Sequence, residues 1–361
     1  MTKEVMAVRI NGKELEVILA ATPATQNIML TGKHGIGKSQ ILEKFFANRG
    51  ERVVILFLGQ MSDPGDLIGL PRLDVETGKT EFMPPYWFPT DGKPVVLFLD
   101  ELNRARPEVL QTIMDLTLNR TLAGKKLPEG SRVISAVNDG EEYQLTDLDP
   151  ALVSRFNIYE FRPTVQEWLL WASQKKLDSR VIDFISENPE MLDGAAFTRE
   201  DQGLEKSPDR RGWERVSHIL QQNEVSPLLK TIIAGVIGMP AALKFFASIS
   251  QKRLPTAKDI LLGDFAKQKA ALKKCSTPDF AAINESLFRF IETNVYEAEN
   301  AELVSSNLGA YFEYLSSEKL REAQAHFANA YSSATYPNAM AFIITKCNNL
   351  YNKITAFINS I

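Results

Sequence analysis

The first half of the chain alternates short apolar runs with stretches in which apolar residues recur at helical spacing. The runs predict strands at Ile28–Leu30, Val53–Leu58, Val95–Leu99, Val133–Val137 and Ile158–Phe161. The stretches between them predict helices at Gln40–Asn48 and Glu108–Leu118 and a short turn at Pro150–Ser154. A run that is apolar at every position, such as Val53–Leu58, is typical of a parallel strand buried on both faces. The pattern therefore predicts a three-layer α/β fold around a parallel sheet.

The N-terminal residues show a different pattern. Two apolar stretches, Val5–Ile10 and Leu15–Ile18, flank the dipeptide Asn11-Gly12, which is a strong signal for a tight hairpin turn. We therefore expect a small hairpin that forms an N-terminal flap or linker ahead of the sheet.

Beyond Pro163 the pattern is helical. Thr164 and Glu167 have the spacing of a capping box, with Thr164 as the N-cap. Apolar residues then recur at helical spacing in Trp168–Lys176, Arg180–Glu187, Trp213–Gln221, Leu228–Ile237, Ala241–Ser250, Ala281–Tyr296 and Ala301–Lys346. Soft boundaries near Pro163 and near Leu254-Pro255 divide the chain into residues 1–162, 163–254 and 255–361.

The composition is that of a globular protein with more than one packed unit: 361 residues, 44% apolar and 24% charged. A formal net charge of −4 gives no electrostatic reason to expect a nucleic acid or an anionic membrane as partner. The two cysteines, Cys275 and Cys347, lie far apart in helix-like apolar sequence, which fits a reducing compartment. We find no signal-peptide pattern at the N-terminus, and the apolar stretch near Ile232–Leu243 is too short to span a bilayer. We expect a cytoplasmic protein without a membrane segment.

The stretch Leu30–Gln40 carries the most specific chemistry. Gly32 is followed, after four residues, by Gly37-Lys38-Ser39, between a predicted strand and a predicted helix. Glycines let backbone N–H groups wrap a phosphate, Lys38 adds a cation, and Ser39 offers its hydroxyl to Mg²⁺. A glycine-rich turn that happens to contain Lys-Ser is the alternative, and the complete spacing argues against it. The predicted nucleotide-binding residues are Gly32, Lys33, His34, Gly35, Ile36, Gly37, Lys38, Ser39 and Gln40.

Two carboxylates, Asp100 and Glu101, follow the apolar run Val95–Leu99. At the carboxyl end of a buried strand, Asp100 is placed to hold Mg²⁺ and Glu101 to polarise an attacking water. The tasks need separate groups because a metal-bound carboxylate is a poor base. The alternative is an ordinary solvated strand end.

Three further positions are candidates for contacts with a γ-phosphate. Asn138 ends the fourth predicted strand, although it can equally form a turn before Asp139-Gly140. Arg155 follows a short helix, from which a guanidinium can reach the phosphate bound by a neighbouring subunit. The pair Arg210-Arg211 opens a helix beyond Pro163. The alternative there is a surface arginine, which would oppose the helix dipole.

Together these residues resemble an AAA+ ATPase, and the short sequence motifs around them resemble the MoxR group of that superfamily. The AAA+ resemblance rests on Gly32–Ser39, Leu97–Glu101, Asn138, Leu148–Phe156 and Ser207–Trp213. The MoxR resemblance rests on Asp66–Gly69, Asp100–Ala105 and Leu148–Leu152 with its trailing Arg155-Phe156. The resemblance covers residues 25 to 250 of the chain.

The resemblance implies a role for each matching residue. Lys38 and Ser39 are Walker A, and Asp100 and Glu101 are Walker B. Asn138 is sensor 1, Arg155 is the arginine finger and Arg211 is sensor 2. Because Asp209-Arg210 interrupt the plainer Pro-Arg-x-Trp form, Arg210 stays an alternative for sensor 2.

The resemblance also implies an architecture. Residues 1–162 would form a P-loop AAA+ core with a three-layer parallel sheet, 163–254 a helical lid and 255–361 an all-helical C-terminal extension. An insert within Asp66–Pro89 and a hairpin at Thr121–Gly130 would face the pore of a ring or a partner.

The implied function is Mg²⁺-dependent ATP hydrolysis in a homo-oligomeric ring, expected to be a hexamer, that remodels a partner protein. The MoxR group often has a von Willebrand factor A-domain partner. Two other functions stay open: a nucleic-acid motor or loader, and a nucleotide-gated scaffold with little turnover. The lack of an identifiable basic and aromatic stacking groove argues against the first, and the complete Walker B pair argues against the second.

The insert contains three consecutive aromatic residues, Tyr86, Trp87 and Phe88, between Pro84-Pro85 and Pro89. Prolines remove ladder hydrogen bonds, so this segment is not a central strand. The aromatic residues either pack on their own domain or anchor a partner. We expect Trp87 to be buried and the tip Thr77–Lys79 to face the partner.

Overall fold

A computed structural model of the chain describes residues 8–138, 148–194, 206–250, 254–294 and 300–360. The chain forms two compact units, Met1–Thr164 and Val165–Ile361.

The first unit is built on a six-stranded sheet, and two short hairpins supply its other strands. The strands of the unit are β1 (Val8–Ile10), β2 (Asn27–Gly32), β3 (Val53–Phe57), β4 (Leu70–Leu73), β5 (Thr80–Met83), β6 (Val96–Asp100), β7 (Thr121–Leu122), β8 (Lys125–Lys126), β9 (Arg132–Asn138) and β10 (Phe156–Phe161). Its helices are α1 (Gly12–Ala21), α2 (Lys38–Ala47), α3 (Gly65–Ile68), α4 (Pro107–Asn119) and α5 (Pro150–Val153), with 3₁₀ turns at Leu58–Gln60 and Leu102–Arg104. The sheet order is β1-β10-β2-β9-β6-β3, and every pair is parallel.

Alternate residues of the central strands face opposite sides of this sheet. Ile28 and Leu30 of β2 pack on the side that buries Leu42 of α2. Met29 packs on the other side, with Ile113 of α4. Helices therefore cover both faces, and the predicted three-layer α/β fold with its five strands is confirmed.

The prediction of an N-terminal hairpin is wrong. Asn11 is the N-cap of α1, where its Oδ1 accepts from the backbone N–H of Glu14 across 3.0 Å. Glu14 Oε2 accepts from the backbone N–H of Asn11 across 2.8 Å, which completes a capping box. A side chain that suits a tight turn also suits a helix N-cap, and here the cap prevails because Leu15 and Leu19 bury the face of a helix. Residues 5–7 lie outside the described part.

The strand Val53–Leu58 was predicted to be buried on both faces, and this is also wrong. β3 lies at the edge of the sheet, next to β6. Within it Leu56 is buried, whereas Phe57 is 45% exposed. An apolar run alone does not distinguish an edge strand from a central one.

Two antiparallel hairpins extend from the first unit. β4 and β5 pair from Leu70↔Met83 to Leu73↔Thr80, and we call the segment Leu70–Met83 the insert hairpin. β7 and β8 form the second, at the position predicted within Thr121–Gly130. The insert hairpin and its tip expose large apolar side chains: Leu70, Leu73, Val75 and Met83. Just beyond it Tyr86 is 91% exposed, whereas Trp87 is 1% exposed, as predicted.

The second unit is helical throughout its described residues. Its helices are α6 (Val165–Gln174), α7 (Ser179–Glu187), α8 (Arg210–Gln222), α9 (Pro227–Ile237), α10 (Met239–Ser250), α11 (Ala257–Leu261), α12 (Phe265–Leu272), α13 (Thr277–Asn294), α14 (Ala301–Ser317), α15 (Arg321–Ser332), α16 (Pro337–Lys346) and α17 (Asn348–Ile358), with a 3₁₀ turn at Pro189–Met191. The predicted helical runs of this half are confirmed as helical, except that Ala301–Lys346 is divided into α14, α15 and α16 and that residues 295 and 296 lie outside the described part. The sequence analysis did not predict α11, α12 and α17.

The second unit contains two hydrophobic clusters. One cluster contains residues of all five helices from α6 through α10. At its centre are Phe184, Trp213 and Phe245, whose ring centroids lie 5.2–5.8 Å apart. The other cluster contains residues of the helices from α11 through α17, among them Phe288 and Phe327, whose ring centroids lie 4.8 Å apart. The domain boundaries at 162 and 254 stay a prediction. No helix among the described residues is both long and apolar enough to cross a membrane.

Candidate nucleotide-binding site

The candidate site lies where three neighbouring strands end. In the register of the sheet, Gly32 at the end of β2 is opposite Asn138 at the end of β9. β6, which ends at Asp100, is the other neighbour of β9. Because ligands of parallel α/β sheets bind at the carboxyl ends of the strands, this register brings the predicted residues to the expected edge.

The loop between β2 and α2 has a backbone that requires glycine. Gly32 has a φ of +154°, and a β-carbon there would lie 2.7 Å from the carbonyl oxygen of Phe161. Gly37 is the N-cap of α2 with a φ of +95°, and it supplies no side chain to cap the helix. Backbone N–H groups at an uncapped helix start bind anions, so the loop fits a phosphate.

Lys38 lies inside this loop with only 6% of its surface exposed. Its Nζ donates to the carbonyl oxygens of Gly32 and Lys33, across 2.7 and 3.1 Å. It also donates to Oδ1 of Asn138 across 3.0 Å, a contact that spans a hundred residues of sequence. The structure thus brings the predicted residue Asn138 to the loop and places a cation there.

Ser39 and Asp100 form the second contact of the site. Ser39 Oγ donates to Asp100 Oδ2 across 3.1 Å. Mg²⁺ prefers a few protein oxygens and completes its shell with phosphate and water. Among the described residues no group of three or more His, Cys, Asp and Glu side chains could hold a metal alone. A hydroxyl beside one carboxylate therefore fits a metal shared with a phosphate.

Glu101 follows with its carboxylate held by neighbours. Its Oε1 accepts from Arg104 Nη1 across 2.9 Å and from Asn138 Nδ2 across 3.4 Å. The side chain of Glu101 is 17% exposed. Asn138 therefore contacts both Lys38 and Glu101. We call Gly32, Lys38, Ser39, Asp100, Glu101 and Asn138 the phosphate edge.

Sequence reasoning gave no role to Asn103 and Arg104. Asn103 is 2% exposed, and its Nδ2 donates to the backbone oxygen of Asn138 across 3.1 Å. It fixes the end of β9, which carries Asn138. Both residues lie in the motif Asp100–Ala105, which indicated the MoxR resemblance. Their polar side chains beside the two carboxylates were the signal that could have identified them.

Arg155 lies apart from these contacts. Its backbone oxygen accepts from Asn27 Nδ2 across 3.0 Å, which holds the start of β10 against β2. Its guanidinium Nη1 is buried without a hydrogen-bond partner in the described structure. Its role as a finger stays a prediction, because that role concerns a neighbouring subunit.

The two sensor 2 candidates, at the start of α8 in the second unit, differ sharply. Arg210 is 8% exposed, and its Nε and Nη2 donate to the two carboxylate oxygens of Asp193, each across 2.9 Å. Arg211, one residue later, is exposed. Arg210 is thus committed to an ion pair within its own unit.

Comparison with known proteins identifies the domain that carries the phosphate edge. Residues 27–156 match the AAA domain of the dynein-related subfamily. Residues 27–156 are an AAA ATPase domain.

A curated relative and several solved structures resemble parts of the chain. A protein of Thauera aromatica named "Putative chaperone BssE" is 30% identical over 141 residues, which span 37% of this chain and 49% of that protein. The Holliday junction branch migration motor RuvB of Thermotoga maritima is 17% identical, with 79% of this chain and 84% of that chain covered and a TM-score of 0.37. A structure from Cytophaga hutchinsonii, named a "putative ATPase", is 16% identical, with 67% and 69% covered and a TM-score of 0.32. At these TM-scores the structural likenesses carry no argument about what the AAA domain of this chain does.

Proposed function

We propose that this chain hydrolyses ATP with Mg²⁺ and uses the energy to remodel a partner protein. The observation that carries the proposal is the hydrogen-bonded group Lys38–Asn138–Glu101 at the end of the sheet, with Ser39 paired to Asp100 beside it. A phosphate loop alone would support nucleotide binding. A loop joined to a separate, positioned carboxylate supports hydrolysis as well.

Each residue of the phosphate edge has one task in this proposal. The backbone from Gly32 to Gln40 and the Nζ of Lys38 bind the phosphates, and Ser39 and Asp100 hold the metal. Glu101 orients the attacking water and takes its proton, and Asn138 keeps the carboxylate and the lysine at a fixed separation. Mg²⁺ would supply neutralisation of the phosphate charge that develops in the transition state.

We propose a ring, with a hexamer as the expected form, because the resemblance to AAA+ ATPases implies a nucleotide site shared between protomers. Arg155 from a neighbouring protomer would supply positive charge to the γ-phosphate. Arg211 is the better candidate for sensor 2, since Arg210 is occupied by Asp193. The proposed location is the cytoplasm.

The partner is proposed to be a protein, with a von Willebrand factor A-domain protein as the form expected for the MoxR group. Two observations support a protein: the relative from Thauera aromatica carries the name of a chaperone, and the insert hairpin exposes Leu70, Leu73 and Val75. Exposed apolar groups of this kind are typical of protein contacts.

The test is steady-state ATP hydrolysis by the whole chain with and without Mg²⁺. Lys38→Ala is expected to lose most nucleotide affinity, because the phosphate charge is left uncompensated. Lys44→Ala, which removes an exposed lysine from the same helix α2, is the matched control and should behave like the wild type. DNA-stimulated, salt-dependent hydrolysis would point instead to a nucleic-acid motor. ATP binding with no turnover would point to a scaffold.

A further inference from the structure

Arg104 contacts the carboxylate to which the proposed function assigns water activation. It ends the 3₁₀ turn Leu102–Arg104, three residues after Glu101. Its Nη1 donates to Glu101 Oε1 across 2.9 Å, and the two side chains are 32% and 17% exposed. A guanidinium is planar and always charged, so such a contact fixes the direction of a carboxylate as well as attracting it.

Two other residues confine the same carboxylate. Asn138 Nδ2 approaches Oε1 across 3.4 Å, so this oxygen receives two donors. The other oxygen, Oε2, lies against Gly59, where a β-carbon would come within 2.9 Å of it. That β-carbon would also lie 3.2 Å from the Cβ of Arg104. Gly59 therefore leaves the space that the pair of Glu101 and Arg104 fills.

The sheet explains why these residues meet. β3 and β6 are neighbours, with Phe57 opposite Asp100 in the register. The chain positions just beyond the two strands, Gly59 and Glu101, are consequently adjacent. Glu101 itself has a φ of +57°, which few residues other than glycine adopt. Such a conformation persists where surrounding contacts hold it, and functional sites are where it is found most often.

We propose that Arg104 is a positioning residue for ATP hydrolysis: it holds Oε1 of Glu101 and so fixes the direction of the carboxylate that polarises the attacking water. The proposal rests on the proposed function, in which Glu101 is the base. Arg104 acts through Glu101 and not on the nucleotide. Its loss should consequently lower kcat and leave nucleotide affinity unchanged.

The first test is Arg104→Ala. We expect kcat to fall roughly 10- to 100-fold, the usual effect of losing a partner that orients a reacting group, with KM and the Kd for nucleotide within about twofold of wild type. Arg104→Lys should recover part of kcat, because lysine keeps the positive charge but lacks the planar set of guanidinium donors. Arg106→Ala is the matched control: Arg106 is exposed, donates to the backbone oxygen of Ser62 across 3.0 Å and should be silent. A wild-type kcat in Arg104→Ala overturns the proposal, as does a loss of nucleotide affinity equal to the loss of kcat.

The second test asks whether Arg104 acts through Glu101. In the Glu101→Gln background, Arg104→Ala should lower the residual rate no further, because residues that act as one unit are not additive. An additive loss would show a separate role and overturn the proposal. Gly59→Ala, which crowds Oε2 instead of releasing Oε1, should lower kcat without weakening nucleotide binding.

A third test compares the position of the Glu101 carboxylate in crystals of two variants, and it does not depend on ATP hydrolysis. In nucleotide-free crystals of Arg104→Ala, the Glu101 carboxylate should leave its position beside Asn138, and in Arg106→Ala it should stay. An unmoved carboxylate in Arg104→Ala overturns the positioning role. If the wild type proves unable to hydrolyse ATP, the proposed function fails, and this comparison still decides what Arg104 does to the side chain of Glu101.

Discussion

The phosphate edge and the insert hairpin belong to the same unit, but the first buries polar groups and the second exposes apolar ones. At the phosphate edge, Lys38 and Asn138 are polar and almost fully buried, and each is hydrogen-bonded. On the insert hairpin, Leu73 and Val75 are apolar and 61% and 88% exposed. A buried polar group is stable only when its partners are inside the protein. An exposed apolar group gains most from a partner outside it. The contrast separates the part of the unit suited to chemistry from the part suited to contact.

The largest expected effect concerns chemistry at the phosphate edge. Glu101→Gln should bind ATP like the wild type and hydrolyse it more slowly by roughly two to four orders of magnitude, because a general base is lost. The measurements are kcat and the Kd for ATP. Glu108→Gln, at an exposed position in the first turn of α4, is the control. Wild-type turnover in Glu101→Gln would remove the proposed base.

A second prediction contrasts two adjacent aromatic residues beyond the insert hairpin. Trp87 is 1% exposed and packs with Phe88 at a ring distance of 5.9 Å, whereas Tyr86 is 91% exposed. Trp87→Ala should cost about 3–5 kcal/mol of unfolding free energy. Tyr86→Ala should change it by less than about 0.5 kcal/mol. Denaturant unfolding of both variants checks this, and equal effects would mean that burial does not decide their roles.

A third prediction asks whether the phosphate edge is complete within one protomer. Arg155→Ala should bind ATP but hydrolyse it poorly, because its guanidinium would stabilise charge in a neighbouring site. Mixing Arg155→Ala with Lys38→Ala should restore part of the activity, since some boundaries then pair an intact loop with an intact finger. The measurement is the hydrolysis rate against mixing ratio. No recovery in confirmed mixed rings would argue against a finger in trans.

The fourth prediction concerns the insert hairpin. Replacing Glu76–Thr80 by a short Gly-Ser turn should leave basal hydrolysis unchanged, because these residues are exposed and the side-chain hydrogen bonds described at the tip, from Glu76 N and Thr77 Oγ1 to Asp74, stay within the insert hairpin. In the Glu101→Gln background with ATP, the same replacement should abolish capture of the partner that Glu101→Gln alone retains. Capture that survives the replacement would exclude the tip as the contact surface.

The sequence predicted the phosphate edge better than its surroundings, for physical reasons. Gly32 and Lys38 are tied to a fixed spacing because phosphate geometry allows few alternatives, and Asp100 directly follows an apolar run that forms a buried strand. The end of β9 was predictable because parallel strands end at one edge. Asn11 was misjudged because a turn and a helix N-cap use the same side-chain hydrogen bond. The edge position of β3 was missed because strand order depends on pairings that no single segment encodes.

The smallest expected effect concerns a carboxyl near two others of like charge. Glu187, at the end of α7, is an exposed residue, yet partial desolvation raises the pKa of its carboxyl, with the neighbouring Asp183 and Asp279 adding to the rise. Arg289 and Arg180 line the same cavity as Glu187, but Arg289 lies 4.0 Å from Asp183 and Arg180 is paired with Asp178. Glu190, a few residues on, is the opposite case, because its hydrogen bond from Lys244 lowers the pKa of its carboxyl.

The sign of each effect follows from which state binds the proton more tightly. For Glu187 the folded state binds the proton more tightly. Ionisation of its carboxyl therefore lowers the stability of the fold as the pH rises through the raised pKa. This cost is absent below the pKa that the carboxyl has in the unfolded chain. Glu187→Gln should therefore raise the melting temperature near pH 7, and this gain should shrink as the pH falls toward about 4. Glu190→Gln should lower it slightly near pH 7, with the difference also fading in acid, because an exposed ion pair contributes little. Melting curves of both variants across this pH range check the pair, and a loss of stability in Glu187→Gln near pH 7 would mean that its carboxylate is compensated after all.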